Sequence, residues 1–406
     1  MENTLFDLCS FAVSPVDKDA YVSGVKECLK SGIPATITTK DVQLAAELQE
    51  KLNQAQSAQG QDGQDDQTET NDEEQGGEID GGDTGTTPLH RISETVTTDT
   101  VEVALELIDI LFQYGANWLM LDDNNETPGC IALRRNVDSR IYDKFVTAGV
   151  RSEVFLRRMT EETDAPIDGG ASADASEGAA ANTAGDNDAY LKADLEYTDH
   201  NLVTEQQDGV MMDWEDPIMK RSAELLCQSR EQGGVVLNVG FGMGIIDKYI
   251  QGFSPKKHYI SEAHPKVLEK MRKDGWYDKP NVIVLEGRWQ DTVPKLLDQG
   301  VFFDGIYYDT FSEHYQDLVD FFDVVVGLLS PEGTFSFFNG LGADRQICYD
   351  VYCQVVEVDL QDYGLEVQYE TMDIAQHEKD ERWKGIKMQY WALKQYHLPK
   401  IHFMSI

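Results

Sequence analysis

The C-terminal half of this 406-residue chain is predicted to form an α/β domain of Rossmann-like type, a doubly wound sheet of mostly parallel strands. Three observations predict this fold. Short apolar runs alternate with amphipathic segments throughout residues 235–396. A glycine-rich turn at 240–244 directly follows the first apolar run, as in strand–turn–helix units that bring the backbone close to a ligand. Two β-like runs end the sequence, as a terminal hairpin would.

The predicted strands are nearly continuous apolar runs, which is the pattern of parallel strands buried on both faces. Five of them precede the terminal pair, namely Val235–Val239, His258–Glu262, Val282–Glu286, Phe302–Asp309 and Thr334–Asn339. Helices are predicted between them at Ile245–Gln251, Pro265–Arg272 and Asp317–Leu329. The terminal pair, Glu366–Met372 and Gln389–Tyr396, is expected to add a reversed edge strand to the sheet.

Composition divides the chain into five segments. A helical N-terminal segment (1–52) is followed by an acidic insert (53–86), a helical repeat region (87–160), an acidic low-complexity linker (161–189) and the α/β domain (190–406). The insert and the linker contain too few large apolar residues to offset the entropy of ordering, so both are predicted to be disordered. Residues 18–30 and 41–52 have the apolar spacing of helices.

The repeat region is predicted to be ankyrin-like. Thr87-Pro88-Leu89-His90 matches the opening of an ankyrin repeat, a helix is predicted at Val101–Phe112, and Tyr114–Asn117 resembles the end of such a unit. A second opening follows within Asp122–Ala132, 40 residues after the first instead of about 33, so the repeat is degenerate or carries an insertion. Such stacked helices serve either as a cover for a catalytic domain or as a protein-binding surface.

The charge of the chain limits its partners. The formal net charge is −39, so nucleic acid and anionic membranes are unfavourable partners and a basic protein is favoured. No apolar run approaches the roughly 20 residues of a membrane span, and the N-terminus does not resemble a secretory signal, so we expect a cytoplasmic protein. The six cysteines are scattered without zinc-site spacing, which predicts reduced thiols and no metal.

The glycine turn and one acidic residue point to a nucleoside-containing ligand. Glu262 lies 18 residues after Gly244, at the end of the second predicted strand. A carboxylate there can accept hydrogen bonds from both ribose hydroxyls, which suits NAD or S-adenosylmethionine and would repel a 2′-phosphate. The motif alone leaves open any Rossmann-like binder of such a ligand.

Five sequence blocks narrow the choice: VMMDWEDPIMK at 210–220, VVLNVGFGMG at 235–244, GRWQD at 287–291, FDGIYYDTF at 303–311 and LSPEGTFSFFNG at 329–340. Together they resemble guanidinoacetate N-methyltransferase across 190–406. With the ankyrin-like region included, the whole chain resembles the fungal protein-arginine N-delta-methyltransferases, the type IV protein arginine methyltransferases. The resemblance implies an S-adenosylmethionine-dependent methyltransferase fold, S-adenosyl-L-methionine as cofactor, S-adenosyl-L-homocysteine as product and no metal.

The resemblance also implies a cofactor site. The loop residues against the methionine part of the cofactor would be Phe241, Gly242, Met243, Gly244, Ile245 and Ile246. The ribose would be held by Glu262, Ala263 and His264, and the adenine would be bordered by Trp289 and Gln290. Met219 and Asp309 would close the pocket around the sulfonium, and Tyr190 or Tyr197 would cover the cofactor. Asn238 departs from the family, which commonly has an acidic residue at that strand position.

Two carboxylates, Glu215 and Asp309, are the catalytic candidates that the resemblance places at the guanidino group. Carboxylates bind a planar guanidinium bidentately and can accept the proton released on methylation. Glu215 could alternatively stabilise a helix N-terminus, where Asp216 before Pro217 is expected to lie in the first turn. Strand alternation places Tyr307 in the core, on the face opposite Tyr308.

The predicted function is methyl transfer to the internal (delta) guanidino nitrogen of an arginine in a protein. The family implies a ribosomal protein as the substrate, and we expect a monomeric enzyme whose nuclear presence follows only from family analogy. A small-molecule guanidino-acid methyltransferase is the first alternative, and it would need a basic residue in the pocket for the substrate carboxylate. An ankyrin-type scaffold with an inactive methyltransferase domain is the second alternative.

Overall fold

The computed structural model describes residues 2–58, 85–161, 183–198, 200–227, 233–374 and 381–405. The chain forms two compact units, Met1–Asp164 and Ala165–Ile406. Among the described residues no helix is long and apolar enough to cross a membrane.

The first unit is α-helical. Its helices are α1 (Glu2–Cys9), α2 (Lys18–Lys30), α3 (Thr39–Ala58), α4 (Pro88–Thr95), α5 (Val101–Gln113), α6 (Pro128–Arg135) and α7 (Ser139–Glu161). The predicted helices at 18–30 and 101–112 are confirmed. Helix α3 continues to Ala58, so the first six residues of the predicted acidic insert are helical, and residues 59–84 of the insert lie outside the described residues.

Both predicted repeat openings begin helices, and each is capped by its threonine. The Thr87 hydroxyl accepts a hydrogen bond from the His90 N–H at the start of α4, and Thr127 accepts one from the Cys130 N–H at the start of α6. Proline occupies the first helical position in both, where its missing N–H costs nothing. The buried His90 ring also reaches the Glu126 carbonyl at 3.1 Å, which ties the two openings together.

The second unit begins before residue 190. Residues 162–182 of the predicted linker lie outside the described residues, but Thr183 is buried and donates a hydrogen bond to the Asp208 carboxylate. Helix α8 (Asn187–Lys192) follows, and then a three-stranded antiparallel sheet of β1 (Leu195–Tyr197), β2 (Asn201–Thr204) and β3 (Gly209–Met212). A short 3₁₀ turn at Asp213–Glu215 leads into α9 (Asp216–Cys227). This small sheet was not predicted from the sequence.

The main sheet has seven strands. Its elements are β4 (Val235–Val239), α10 (Ile245–Gly252), β5 (Lys257–Glu262), α11 (Pro265–Lys273), β6 (Val282–Glu286), α12 (Trp289–Thr292), α13 (Lys295–Asp298), β7 (Phe303–Tyr308), α14 (Tyr315–Leu328), β8 (Leu329–Phe337), α15 (Gln346–Asp362), β9 (Leu365–Asp373) and β10 (Gln395–Phe403). The strand order is β6-β5-β4-β7-β8-β10-β9, and β10 is the one strand that runs opposite to the other six. The terminal pair does add a reversed strand, but that strand lies between β8 and β9 and is not at the edge as expected. The order reverses between β4 and β7, which is where open α/β sheets bind ligands.

The predicted last strand was misplaced. The strand runs from Gln395 to Phe403, whereas residues 389–394 are an irregular segment. The aromatic residues of that segment are of a type common in strands. Trp391 is buried, however, through packing against Tyr349 and Tyr396 and not through a place in the sheet. The true strand contains Pro399, which ordinarily argues against a strand interior.

Two apolar clusters lie on the two faces of the main sheet. Tyr307 packs in one of them with Met219 and Ile246, and Tyr308 packs in the other with Phe321. The prediction that adjacent tyrosines of this strand point to opposite faces, with Tyr307 in the core, is confirmed.

Candidate active site

The glycine loop between β4 and α10 lies at the point where the strand order reverses. Gly240, Gly242 and Gly244 all have positive φ angles, of 91°, 54° and 67°. A Cβ atom at Gly240 would lie 1.9 Å from the Asp309 carbonyl oxygen, so no side chain fits there. The loop therefore brings bare backbone against the end of β7, which leaves room for a ligand at this edge of the sheet.

Glu262 ends β5 beside this loop and is almost fully buried. Its Oε2 accepts a hydrogen bond from the Phe241 N–H at 2.9 Å, and its Oε1 accepts one from the His264 N–H at 2.6 Å. Burial raises the pKa of Glu262 above its usual value, and the backbone donors oppose that change. The carboxylate is thus fixed at the position that the sequence analysis assigned to the ribose.

A cavity with about 600 Å³ of empty space opens in front of the loop. Six of the predicted site residues line it, namely Tyr190, Gly242, Glu262, Ala263, Trp289 and Asp309.

The other predicted cofactor residues are not among those that line this cavity. Met219, Phe241, Ile245 and Ile246 are buried in the core behind the loop, and Gly244 begins α10. Met243 is partly buried beside that core. His264 caps α11 and reaches the Tyr190 carbonyl at 3.1 Å, and Gln290 is an exposed residue that donates to Glu313 at 3.1 Å.

The structure separates the two tyrosines that were candidates to cover the cofactor. Tyr190 lines the cavity, and its ring packs 4.9 Å from both the His264 ring and the Phe311 ring. The Tyr197 hydroxyl instead donates to the Gly242 carbonyl at 3.1 Å and lies in another cleft beside Phe241. Tyr190 is therefore the better candidate of the two.

Glu313 is a cavity residue that the sequence analysis missed. Its carboxylate accepts hydrogen bonds from Trp289 Nε1 at 3.0 Å, from Gln290 and from the Tyr308 hydroxyl. It thereby holds together the wall that the resemblance assigns to adenine. The buried indole N–H of Trp289 requires an acceptor, but the sequence does not show which residue supplies it.

Asn238 supports the glycine loop from below. Its Nδ2 donates to the Gly240 carbonyl at 2.8 Å and lies 3.0 Å from each carboxylate oxygen of Asp247. Asp247 is fully buried, and its Oδ1 lies 3.1 Å from Nε2 of the equally buried His258. The acidic group that is missing from the strand is thus supplied by helix α10.

Glu215 ends the 3₁₀ turn that precedes α9 and is buried. Its Oε1 accepts hydrogen bonds from the Met212 N–H at 3.3 Å and from the Tyr390 hydroxyl. Burial and the negative charge of Asp309 raise the pKa of Glu215 well above its usual value. Asp216 lies in the first helical turn, as predicted, and accepts a hydrogen bond from the Tyr249 hydroxyl.

Asp309 follows β7 and lines the cavity, which makes it partly accessible. Its Oδ2 atom is nevertheless shielded and has no hydrogen-bond partner among the described residues. Burial, with a smaller contribution from the charge of Asp247, raises the pKa of Asp309 to about 7. An acid with this pKa can both accept and release a proton near neutral pH.

These residues fit S-adenosylmethionine. Glu262 offers buried carboxylate oxygens for ribose hydroxyls, the glycine loop allows close approach, and the shielded oxygen of Asp309 suits a nearby cation. No group of three residues that could hold a metal ion occurs in the described part of the chain. The fold and the site define a Rossmann-like methyltransferase.

Comparisons with known proteins identify the family. Residues 180–361 match the guanidinoacetate N-methyltransferase family. Protein arginine N-methyltransferase 2 of Yarrowia lipolytica is 45% identical, with 98% of each chain covered. Those of Candida glabrata and Saccharomyces cerevisiae are 45% and 42% identical, with 98% of this chain and 99% of the relative covered. The chain belongs to this family of fungal protein arginine N-methyltransferases.

Proposed function

We propose that this protein transfers the methyl group of S-adenosylmethionine to the internal (delta) guanidino nitrogen of an arginine in a basic protein, acting as a monomer on a ribosomal protein. The observation that carries the proposal is the pair of carboxylates, Asp309 in the cavity lining and Glu215 buried near it. Burial, and then the negative charge of Asp309, raises the pKa of Glu215 well above its usual value. Bound S-adenosylmethionine supplies an electrophilic methyl group on its sulfonium.

A guanidinium is a poor nucleophile because it is protonated and its lone pairs are delocalised. Two carboxylates counter both properties, since they can bind its N–H groups and accept the proton that leaves when nitrogen gains the methyl group. Asp309 suits the proton acceptor, because its shielded Oδ2 has no other described partner and its pKa is raised to about 7. Glu215, buried and hydrogen-bonded on one oxygen, suits the fixed half of the clamp.

The match to the guanidinoacetate N-methyltransferase family supports the internal nitrogen as the methylated atom. Guanidinoacetate carries its substituent on the nitrogen that its methyltransferase modifies, and the chain matches that family over 180–361. A clamp that holds the guanidinium plane in the same orientation presents the substituted nitrogen of an arginine side chain to the methyl group.

A protein substrate agrees with the charge of the chain. The net charge of −39 attracts basic proteins, of which ribosomal proteins are an abundant class. A guanidino acid would instead require a cation for its carboxylate. Among the described residues that line the cavity, Arg288 is the one with a cationic side chain. It already donates a hydrogen bond to Asn187 and forms an ion pair with Asp188.

Methyl transfer from radiolabelled S-adenosylmethionine tests the proposal. The purified protein is given ribosomal protein extract or guanidinoacetate, and the labelled product is analysed by mass spectrometry. Label on the internal nitrogen of a protein arginine is expected, and Glu215→Gln and Asp309→Asn should abolish it while Asp298→Asn, an exposed control, should not. Label in creatine alone would support the small-molecule alternative. Cofactor binding without label in either substrate would mean that the substrate is a different one, and the absence of cofactor binding would support the scaffold alternative.

A further inference from the structure

Residues between β9 and β10 pack against the Glu215 region in the part of this segment that the structure describes. Its described part, 381–394, is fastened to the turn between β2 and β3, where the Lys387 N–H donates to the Gln207 carbonyl at 2.8 Å. At its end, the Ala392 N–H donates to the Ala343 carbonyl at 2.9 Å. Backbone hydrogen bonds thus fix this segment at two places, although it has little regular secondary structure.

Aromatic packing fixes one side chain of this segment, Tyr390. Its ring centroid lies 4.8 Å from that of Trp383 and 5.9 Å from that of Trp214, and the next residue, Trp391, is fully buried. Trp214 immediately precedes Glu215 in the chain. The tyrosine therefore has little freedom to turn away from the carboxylate.

The Tyr390 hydroxyl donates a hydrogen bond to Oε1 of Glu215. The Met212 N–H donates to the same oxygen at 3.3 Å, so both of these hydrogen bonds fall on one atom of the carboxylate. Among the described residues no hydrogen bond reaches Oε2, so its lone pairs are not committed within the protein.

Four other ionisable groups lie near Glu215. They are Asp309 from the end of β7, Asp213 from its own turn, Tyr307 from β7 and Tyr396 from β10. Burial raises the pKa of Glu215 most, and the charges of Asp309 and Asp213 raise it further. The hydrogen bonds from the Tyr390 hydroxyl and the Met212 N–H lower it. Tyr390 is thus a side-chain donor that favours the ionised form.

We propose that Tyr390 is a positioning residue for methyl transfer, whose hydroxyl fixes Oε1 of Glu215 and leaves Oε2 to bind the substrate guanidinium. This inference rests on the proposed function. Without the hydroxyl, Glu215 holds a proton to higher pH and loses its fixed orientation, so the guanidinium meets a neutral and mobile group.

Tyr390→Phe in the full-length protein tests the proposal, because it removes one oxygen and keeps the packed ring. At neutral pH kcat is expected to fall on the order of tenfold or more, the usual effect of losing a hydrogen bond to a charged group. The acidic limb of the kcat/KM profile should move to higher pH, while the affinity for S-adenosylhomocysteine stays unchanged. Tyr369→Phe is the matched control, since that hydroxyl donates to the Cys353 carbonyl instead.

A loss of activity that is equal at every pH, with a lowered melting temperature, would assign Tyr390 a structural role only and overturn the proposal. An unchanged profile would overturn it as well. Carboxyl infrared difference spectra, with Glu215→Gln as the reference, provide a readout that does not need turnover, and the protonation midpoint of Glu215 should rise in Tyr390→Phe. If the wild-type protein methylates no arginine while the protonation midpoint of Glu215 still rises in Tyr390→Phe, the proposed function is wrong. The effect of the Tyr390 hydroxyl on Glu215 would then still stand.

Discussion

Asp309→Asn is expected to abolish methyl transfer and yet stabilise the folded protein above neutral pH. The carboxylate of Asp309 is held beside Asp247, and its Oδ2 atom is shielded without a described hydrogen-bond partner. Asparagine has nearly the same shape and carries no charge, so the substitution removes an unfavourable buried anion together with the proton acceptor.

The magnitude follows from the raised pKa. The pKa of Asp309 rises from 3.8 to about 7, so the folded state binds this proton more tightly than the unfolded state. The resulting stabilisation is complete below pH 3.8 and is lost as the pH rises through 7. At 1.36 kcal/mol for each pH unit, the loss at pH 8 is at most about 4 kcal/mol. Because the cavity lets water reach this side chain, about 2 kcal/mol is expected at pH 8 and about 1 kcal/mol at pH 5.5.

Thermal unfolding at the two pH values measures the effect. For a domain of this size, about 2 kcal/mol corresponds to a rise of roughly 4–8 °C in the melting temperature of Asp309→Asn at pH 8, and roughly half of that at pH 5.5. Asp298→Asn, which alters an exposed carboxylate of the same unit, should show neither change. A variant that is less stable than the wild type at both pH values would refute the electrostatic account of Asp309.

Three further substitutions test the geometry of the site. Gly240→Ala would place a Cβ atom 1.9 Å from the Asp309 carbonyl oxygen. We expect the free energy of unfolding to fall by more than about 3 kcal/mol in thermal melting, or the loop to be displaced so that calorimetry detects weak S-adenosylhomocysteine binding. Asn238→Asp would set a second buried anion 3.0 Å from the Asp247 oxygens, and should cost about 3–5 kcal/mol in denaturant unfolding, less at pH 5.5 than at pH 8. Glu313→Gln places an amide group where the carboxylate accepts hydrogen bonds from Trp289 and Gln290, so at least one of these donors loses its acceptor. We expect the affinity for S-adenosylhomocysteine to fall on the order of tenfold, with little change in melting temperature. Unchanged affinity in that variant would remove Glu313 from the adenine wall.

The inner strands of the sheet were predictable because they are buried and therefore appear as apolar runs, and the partly buried strand β6 has the same apolar sequence. Val235–Val239 and Val282–Glu286 were predicted with their observed ends. The small sheet of β1–β3 was missed, since strands of three or four residues produce little periodicity. Helix α15 was also missed, and the tertiary pairing of β10 with β8 and β9 set the true position of the last strand.

The site likewise combines residues that a short stretch of sequence identifies with residues that are distant in the sequence. The glycine loop and Glu262 are neighbours of strand ends, so a short motif and one spacing were sufficient to find them. The partners of the candidate catalytic groups are distant in sequence. Tyr390 lies 175 residues from Glu215, and Glu313 lies 24 residues from Trp289. No spacing rule connects such pairs, because the fold alone brings them together.

Asn238 shows how a departure from a family pattern can be resolved by the fold. From the sequence alone, asparagine at the end of β4 lacks the negative charge that the family commonly has there, which weakens the prediction of a cofactor contact at this position. In the structure its amide holds Asp247 of helix α10 and the Gly240 carbonyl together, so the charge is present a short distance away. That displaced charge also raises the pKa of Asp309. An acidic strand residue beside Asp247 would be a second buried anion, so asparagine at this position is the complement of the aspartate on the helix.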